Sequence, residues 1–277
     1  MREVTLPDGT KVPALGQGTW RMGEQASRAA DEIAALREGI ALGMTLIDTA
    51  EMYGDGGSET MLSEVLKGGV RDGVYLVSKA YPQNASRGRL ERACEASLKR
   101  LGTDRLDMYL LHWRGGTPLD ETVEGMEALR RAGKIRHWGV SNFDADDMDE
   151  LFEAGGEGCA TNQVLYNLAR RGPEFDLAPE LKARSIPLMA YSPVEQGRLP
   201  KTGALASVAQ RHGVSPLQIA LAWVLRSPDV IAIPKATSLA HVKENRAALD
   251  LRLTAEDLAE LDGQFPPPQR KRPLEMI

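Results

Sequence analysis

Apolar positions along this chain fall into two alternating kinds of segment. Short, almost uninterrupted apolar runs occur at ALGQG (14–18), TLID (45–48), VYLVSK (74–79), LDMYLLH (106–112), IRHWGVS (135–141), ATNQ (160–163), PLMAYS (187–192) and VIAIPK (230–235), and they read as strands. Between them, residues 29–42, 58–66, 86–101, 118–132, 145–154, 204–226 (broken at Gly213) and 238–249 carry apolar side chains every three or four positions, the spacing of a one-sided helix. Ahead of both, VTLPDGTKV sets Asp8-Gly9 between two β-prone runs and predicts a hairpin. Apolar strands separated by helices imply a parallel sheet covered on its outside. Eight such repeats in roughly 250 residues match a closed (β/α)8, or TIM, barrel of the α/β class with an N-terminal β-hairpin.

The rival is an open doubly wound sheet. It would place G-x-G-x-x-G after a strand, and the one candidate, Gly16-Gln17-Gly18, has Arg21 where the third glycine belongs. No linker, composition shift or internal repeat divides the chain, so residues 1–277 are read as a single domain. Residues 266–277, PPPQRKRPLEMI, are expected to form a flexible tail, because consecutive prolines forbid helix.

Composition narrows the function. A chain of 277 residues with 42% hydrophobic and 26% charged residues can bury a large core. A formal charge of −5 with no dense Lys/Arg tract argues against nucleic acid or an anionic membrane as partner and leaves a small molecule. Cys94 and Cys159 are far apart and in no ligand spacing, so neither disulfides nor zinc are indicated. The histidines at 112, 137, 212 and 241 form no ligand pair either, which disfavours a metal-dependent barrel hydrolase. No signal-peptide core and no window near ~20 apolar residues is seen, so a soluble, cytoplasmic and monomeric protein is expected.

In a barrel of this kind the chemistry gathers at the C-terminal ends of the strands. The second run ends at Asp48 with Tyr53 in its loop, the third at Lys79 and the fourth at His112. Adjacent strands lie only ~4.8 Å apart, so these four side chains can meet. Singly, each has an ordinary reading: Asp48 as a turn cap, Tyr53 as a loop aromatic, His112 as a core histidine bonded to a carbonyl. Lys79 is harder to place, because a buried ammonium needs a compensating carboxylate. Together they suit a carbonyl reduction. The ammonium is expected to lower the phenol's pKa from ~10 and make Tyr53 a proton donor, with Lys79 aimed by Asp48 and His112 donating to the developing oxyanion.

The ordered motifs LGQGTW, GMTLIDTAEMYG, LVSKAYP, LLHW, GVSNF, TNQVLYN, AYSP and IPKATSLAHVKEN resemble those of the aldo-keto reductases across nearly the whole barrel. That resemblance implies an NAD(P)H-dependent reductase of aldehydes or ketones whose catalytic tetrad is Asp48, Tyr53, Lys79 and His112. It implies further that Ser141, Asn142 and Gln163 hold the carboxamide, that Tyr191 stacks on the nicotinamide, and that the loop from Ser192 to 199 covers the pyrophosphate. Within that loop Glu195 would repel phosphate unless it turns away or Arg198 offsets it.

Lys235, Thr237, Ser238, His241, Glu244 and Asn245 correspond to the 2′-phosphate and adenine region, and a helix beginning near Ser238 suits an anion. Members of the family commonly carry Ser or Thr after the lysine and arginine at the position of His241, whereas this chain has Ala236 and His241. Histidine is in general largely neutral at pH 7, so a permanent charge on the 2′-phosphate is missing; the resemblance still implies NADPH as the cofactor, with NADH as the alternative. By the same resemblance Trp20, Met52 and Trp113 line an apolar substrate pocket suited to aromatic or medium-chain carbonyls. The competing functional reading is a low-turnover nicotinamide-binding regulatory or sensory subunit on the same fold.

Overall fold

In the computed structural model, which describes residues 1–277, the hairpin pairs β1 (Glu3–Thr5) antiparallel with β2 (Lys11–Pro13). Its tip is tied to the N-terminal end of the barrel: Asp8 Oδ2 lies 2.9 Å from His137 Nε2, and His137 Nδ1 lies 2.9 Å from the Tyr75 hydroxyl. The chemistry-bearing rim is the opposite one.

The barrel staves are β3 (Gln17–Gly18), β4 (Leu46–Asp48), β5 (Tyr75–Ala80), β6 (Leu106–Leu111), β7 (Ile135–Ser141), β8 (Cys159–Leu165), β9 (Leu188–Tyr191) and β10 (Val230–Ala232), each parallel to the next. The ring closes between first and last staves through the Leu15–Ala232 bridge and through Gly16 and Gly18 N–H groups donating to Ala232 O and Pro234 O, at 2.8 and 3.1 Å. Glycine is required at this seam, since a Cβ on Gly18 would stand 2.8 Å from Ile233 O. The first and last staves are shorter than the apolar runs that predicted them: β3 lacks residues 14–16, which meet β10 only through the isolated bridge, and β10 stops before Ile233.

Around the barrel lie α1 (Ala29–Ala41), α2 (Gly57–Val65), α3 (Arg87–Leu101), α4 (Leu119–Arg131), α5 (Ala145–Glu153), α6 (Leu177–Ala183), α7 (Ala204–His212), α8 (Pro216–Val224), α9 (Leu239–Ala248) and α10 (Ala255–Gln264). The 204–226 segment breaks as expected: Gly213 ends α7 at φ 64°, and a Ser215–Gln218 capping box with Pro216 in the first turn starts α8. Helices α6 and α10 were not among the segments read from periodicity. One continuous apolar core, with Trp138, Trp223 and Phe143 fully buried, fills the barrel and the layer beneath the helices. No helix is long and apolar enough to cross a membrane.

Residues 266–277 contain neither helix nor strand but lie against the rim. Lys271 pairs with Asp146 at 2.7 Å, and Glu275 pairs with Arg170.

Candidate active site

Parallel register steps these residues along the barrel mouth: Asp48 pairs with Val77, two residues before Lys79 on β5, and Lys79 pairs with Leu110, two residues before His112, which directly follows β6. Lys79 is fully buried, yet its ammonium is satisfied. It donates to Asp48 Oδ2 at 2.8 Å, to Thr49 O at 2.9 Å and to the Tyr53 hydroxyl at 3.0 Å. An ammonium has three donors, and all three are used. The other Asp48 oxygen accepts the Gln163 amide at 2.8 Å, so the carboxylate is fixed from both sides.

Tyr53 reaches this point because of the turn that follows it. Gly54, Asp55 and Gly56 have φ of 59°, 51° and 83°, a left-handed run that folds the chain back into α2. Gly56 also admits Arg100 closely, since a Cβ there would lie 2.6 Å from Arg100 Cδ. Arg100 in turn meets Glu59, a fully buried carboxylate on α2 that also accepts the Ser78 hydroxyl, each at 2.6 Å. Beneath the loop, Thr49 donates to the Ser58 hydroxyl at 3.1 Å and Ser58 to Thr19 Oγ1 at 2.8 Å. Thr19 itself lies 2.9 Å from Asp48 O. These links tie α2 to the staves on either side. None was singled out from the sequence, because hydroxyls and a glutamate at helical spacing carry no sign of facing inward.

One electrostatic expectation is corrected by this geometry. The Tyr53 phenol is pushed well above its ordinary value, by burial first and then by the Asp48 carboxylate, rather than lowered by the lysine. Burial and the nearby carboxylate both disfavour the phenolate, so the phenol stays protonated. Lys79 is pulled down by burial, while Asp48 opposes that shift. His112 is driven from 6.5 to about 2, by burial and then by Lys79, and is a neutral imidazole. Its ring lies edge-on to Tyr53 with centroids 5.8 Å apart, and its Nδ1 is buried without a partner.

The predicted pocket residues stand beside this cluster. Trp20 packs edge-on to Tyr53 at 5.0 Å and Trp113 lies 4.9 Å from His112, while Met52 is half-buried in the Tyr53 loop. Tyr81, not singled out from the sequence, adds an edge-on contact to Trp113 at 5.8 Å.

The next stave ends carry the residues assigned to the cofactor. Ser141 donates to Gln163 O at 2.8 Å, and Asn142, at φ 58°, donates to His112 O and accepts the Tyr191 hydroxyl at 3.0 Å. Gln163 is buried, and its amide is held by Asp48 and by Met189 Sδ. Ser192 is left-handed at φ 47° and opens the following loop, where Glu195 turns inward. Its carboxylate accepts from Asn167 at 2.8 Å and from Arg170 at 3.1 Å, with Arg198 at 3.8 Å, so it faces away from the loop's outer surface.

Beyond β10, Ser238 caps α9 by accepting from His241 N–H at 3.3 Å; His241 and Glu244 are exposed on that helix and Asn245 is half-buried. Lys235 is exposed with no carboxylate partner, and Thr237 lies 3.5 Å from Arg28 Nη2. The fit to an elongated dinucleotide is physical: an orphaned imidazole nitrogen stands at one end and Lys235, without a carboxylate partner, at the other. No group of three or more His, Cys, Asp or Glu is placed to hold a metal ion.

A sequence model described as the Aldo/keto reductase family matches residues 14–264. The chain belongs to the aldo/keto reductase family. As a member it is an oxidoreductase, and its fold is that of solved relatives. It is 53% identical over 272 residues to the Escherichia coli methylglyoxal reductase YeaE, covering 96% of this chain and 95% of that protein. Glyoxal reductase of Bacillus subtilis is 32% identical over 261 residues, covering 94% and 91% of the two chains. An aldo/keto reductase from Klebsiella pneumoniae, solved in complex with NADP and acetate, superposes with a TM-score of 0.97 at 54% identity, covering 100% and 99%. Its family membership and barrel agree with the resemblance drawn from the motifs.

Proposed function

We propose that this aldo/keto reductase reduces aldehydes and ketones to alcohols with NADPH, with Tyr53 as the general acid. The observation that carries the reading is the hydrogen bond from Lys79 to the Tyr53 hydroxyl, with Asp48 fixing the ammonium. Bound NADPH would supply hydride from the nicotinamide C4 to the carbonyl carbon. Tyr53, held protonated by its surroundings, gives its proton to the carbonyl oxygen. The phenolate left behind keeps the short contact to Lys79, so the ammonium stabilises the charge where it appears. His112, being neutral, presents an N–H without adding a proton of its own to the reaction. Ser141, Asn142 and Tyr191 would orient the nicotinamide, and Lys235, Thr237 and Ser238 would hold the far phosphate.

For substrate we favour small 2-oxoaldehydes of the methylglyoxal kind over the aromatic or medium-chain carbonyls expected from the motifs. The support is the 53% identity to a methylglyoxal reductase and the close aromatic packing of Trp20, Tyr81 and Trp113 around the cluster.

The test is turnover of methylglyoxal and a panel of longer aldehydes, followed by loss of NADPH absorbance. Tyr53→Phe should lower kcat by at least ~10²-fold, the usual scale for removing a general acid, while NADPH still binds. Near-normal reduction by that variant would remove Tyr53 from the chemistry, and absence of turnover by the unaltered protein would favour the regulatory-subunit reading.

A further inference from the structure

We propose that Arg28, on the loop between β3 and α1, supplies the permanent positive charge that recognises the 2′-phosphate of the cofactor. The inference rests on the NADPH reading above and assigns to that site a residue from the opposite side of the barrel seam. Three cations converge there. Arg21 and Arg28 follow the first stave, Lys235 follows the last, and all three are exposed.

Their carboxylate partners are too few. Neither Arg21 nor Lys235 has an acidic oxygen within the 4.0 Å of an ion pair, and Arg28 has only Glu32 at 3.8 Å. Glu32 is itself buried and engaged through its other oxygen, which accepts Gly23 N–H at 2.9 Å. Arg28 does reach across the seam, but its contact to Thr237 Oγ1 is 3.5 Å, the outer limit of a hydrogen bond. A guanidinium held so loosely is free to turn toward a better acceptor. The proximity of the charges shows in Lys235, held below the usual lysine range by burial and next by Arg28.

Glu32 and Glu24 offset part of this charge, but three cations outnumber two carboxylates, and an anion seated among them removes the remaining repulsion. The donors around the gap identify which anion. Thr237 and the cap residue Ser238 offer hydroxyls, and the first turn of the ten-residue helix α9 (Leu239–Ala248) presents free N–H groups. A phosphate monoester uses all of these. Arg28 matches it better than His241 does, because a guanidinium stays charged throughout the working pH range and binds phosphate oxygens in pairs. The arginine that the motif comparison finds missing from α9 is thus supplied from the loop before α1.

The test compares Arg28→Ala, Arg28→Lys and His241→Ala in the full-length protein, by titrating NADPH and NADH binding through quenching of tryptophan fluorescence. Arg28→Ala should raise the Kd for NADPH by roughly tenfold, the scale of one charge-assisted hydrogen bond, and change that for NADH by less than about twofold. Arg28→Lys should fall between the unaltered protein and Arg28→Ala. Equal losses for both cofactors would mean that the loop is merely structural, and no loss would mean that Arg28 is solvated. A larger NADPH-specific loss from His241→Ala would return the role to α9; each of these three results overturns the proposal. If the unaltered protein does not bind NADPH, the functional reading fails instead.

Discussion

The Lys79 ammonium sits 3.0 Å from the Tyr53 hydroxyl and donates to it, while Asp48 holds the same nitrogen at 2.8 Å. On the mechanism proposed above, the lysine acts at the proton-transfer step rather than by ionising the phenol beforehand. Lys79→Met should abolish most turnover and also destabilise the fold by about 3–5 kcal/mol, because Asp48 is left buried with Gln163 alone. The double variant Asp48→Asn/Lys79→Met should recover part of the stability and none of the activity. Urea denaturation and single-turnover kinetics check the two halves; recovery of activity in the double variant would show the ammonium to be dispensable.

His112 gives a pH signature. Its folded-state value of about 2 lies below the ordinary 6.5, so the unfolded chain takes up the extra proton first. The stability associated with neutral His112 is present above pH 6.5 and is lost as the pH falls toward 2. His112→Asn should therefore flatten the decline in urea midpoint between pH 6.5 and 4.5. Identical slopes in the two proteins would contradict the neutral buried imidazole.

Ser58 lies under the Tyr53 loop between two hydroxyls. Ser58→Ala leaves Thr49 without its acceptor and should cost about 1–3 kcal/mol. If the network positions the phenol, kcat should fall while Kd for NADPH stays unchanged. A loss of stability with kcat intact would limit the network to holding the fold.

Arg170 joins the Glu195 carboxylate in the loop after β9 to Glu275 in the tail. Arg170→Ala should loosen both at once. Amide exchange should rise in 193–199 and in 270–277 together, and NADPH should dissociate several-fold faster. Faster exchange in only one segment would show that the two are not coupled.

The barrel was legible because its staves are buried on both faces and leave uninterrupted apolar runs. What the sequence concealed was contact between distant segments. Helix α10 could have been found from Thr254 and Asp257, whose reciprocal capping box marks its start. Helix α6 is short and opens with a cap from Asp176, a signal that many turns share. The four residues of the central cluster were visible because three of them close an apolar run and Tyr53 lies in the loop that follows one. The direction in which the Tyr53 phenol shifts was not visible, since it depends on how completely the fold buries the ring and on how near the Asp48 carboxylate lies. Arg28 was hidden for a plainer reason: its contact with Thr237 spans 209 positions.

The closure between β3 and β10 bears on how the cofactor acts on the fold. This joint is held by one isolated bridge and a few main-chain bonds, and the cations on its two sides arrive from opposite termini of the barrel. A phosphate gripped by both sides would work like a hoop on the first and last boards of a cask. We therefore expect the amides of Gly16, Gly18 and Ala232 to exchange more slowly with NADPH than with NADH at matched saturation; equal protection would mean that the ligand leaves this joint as it finds it.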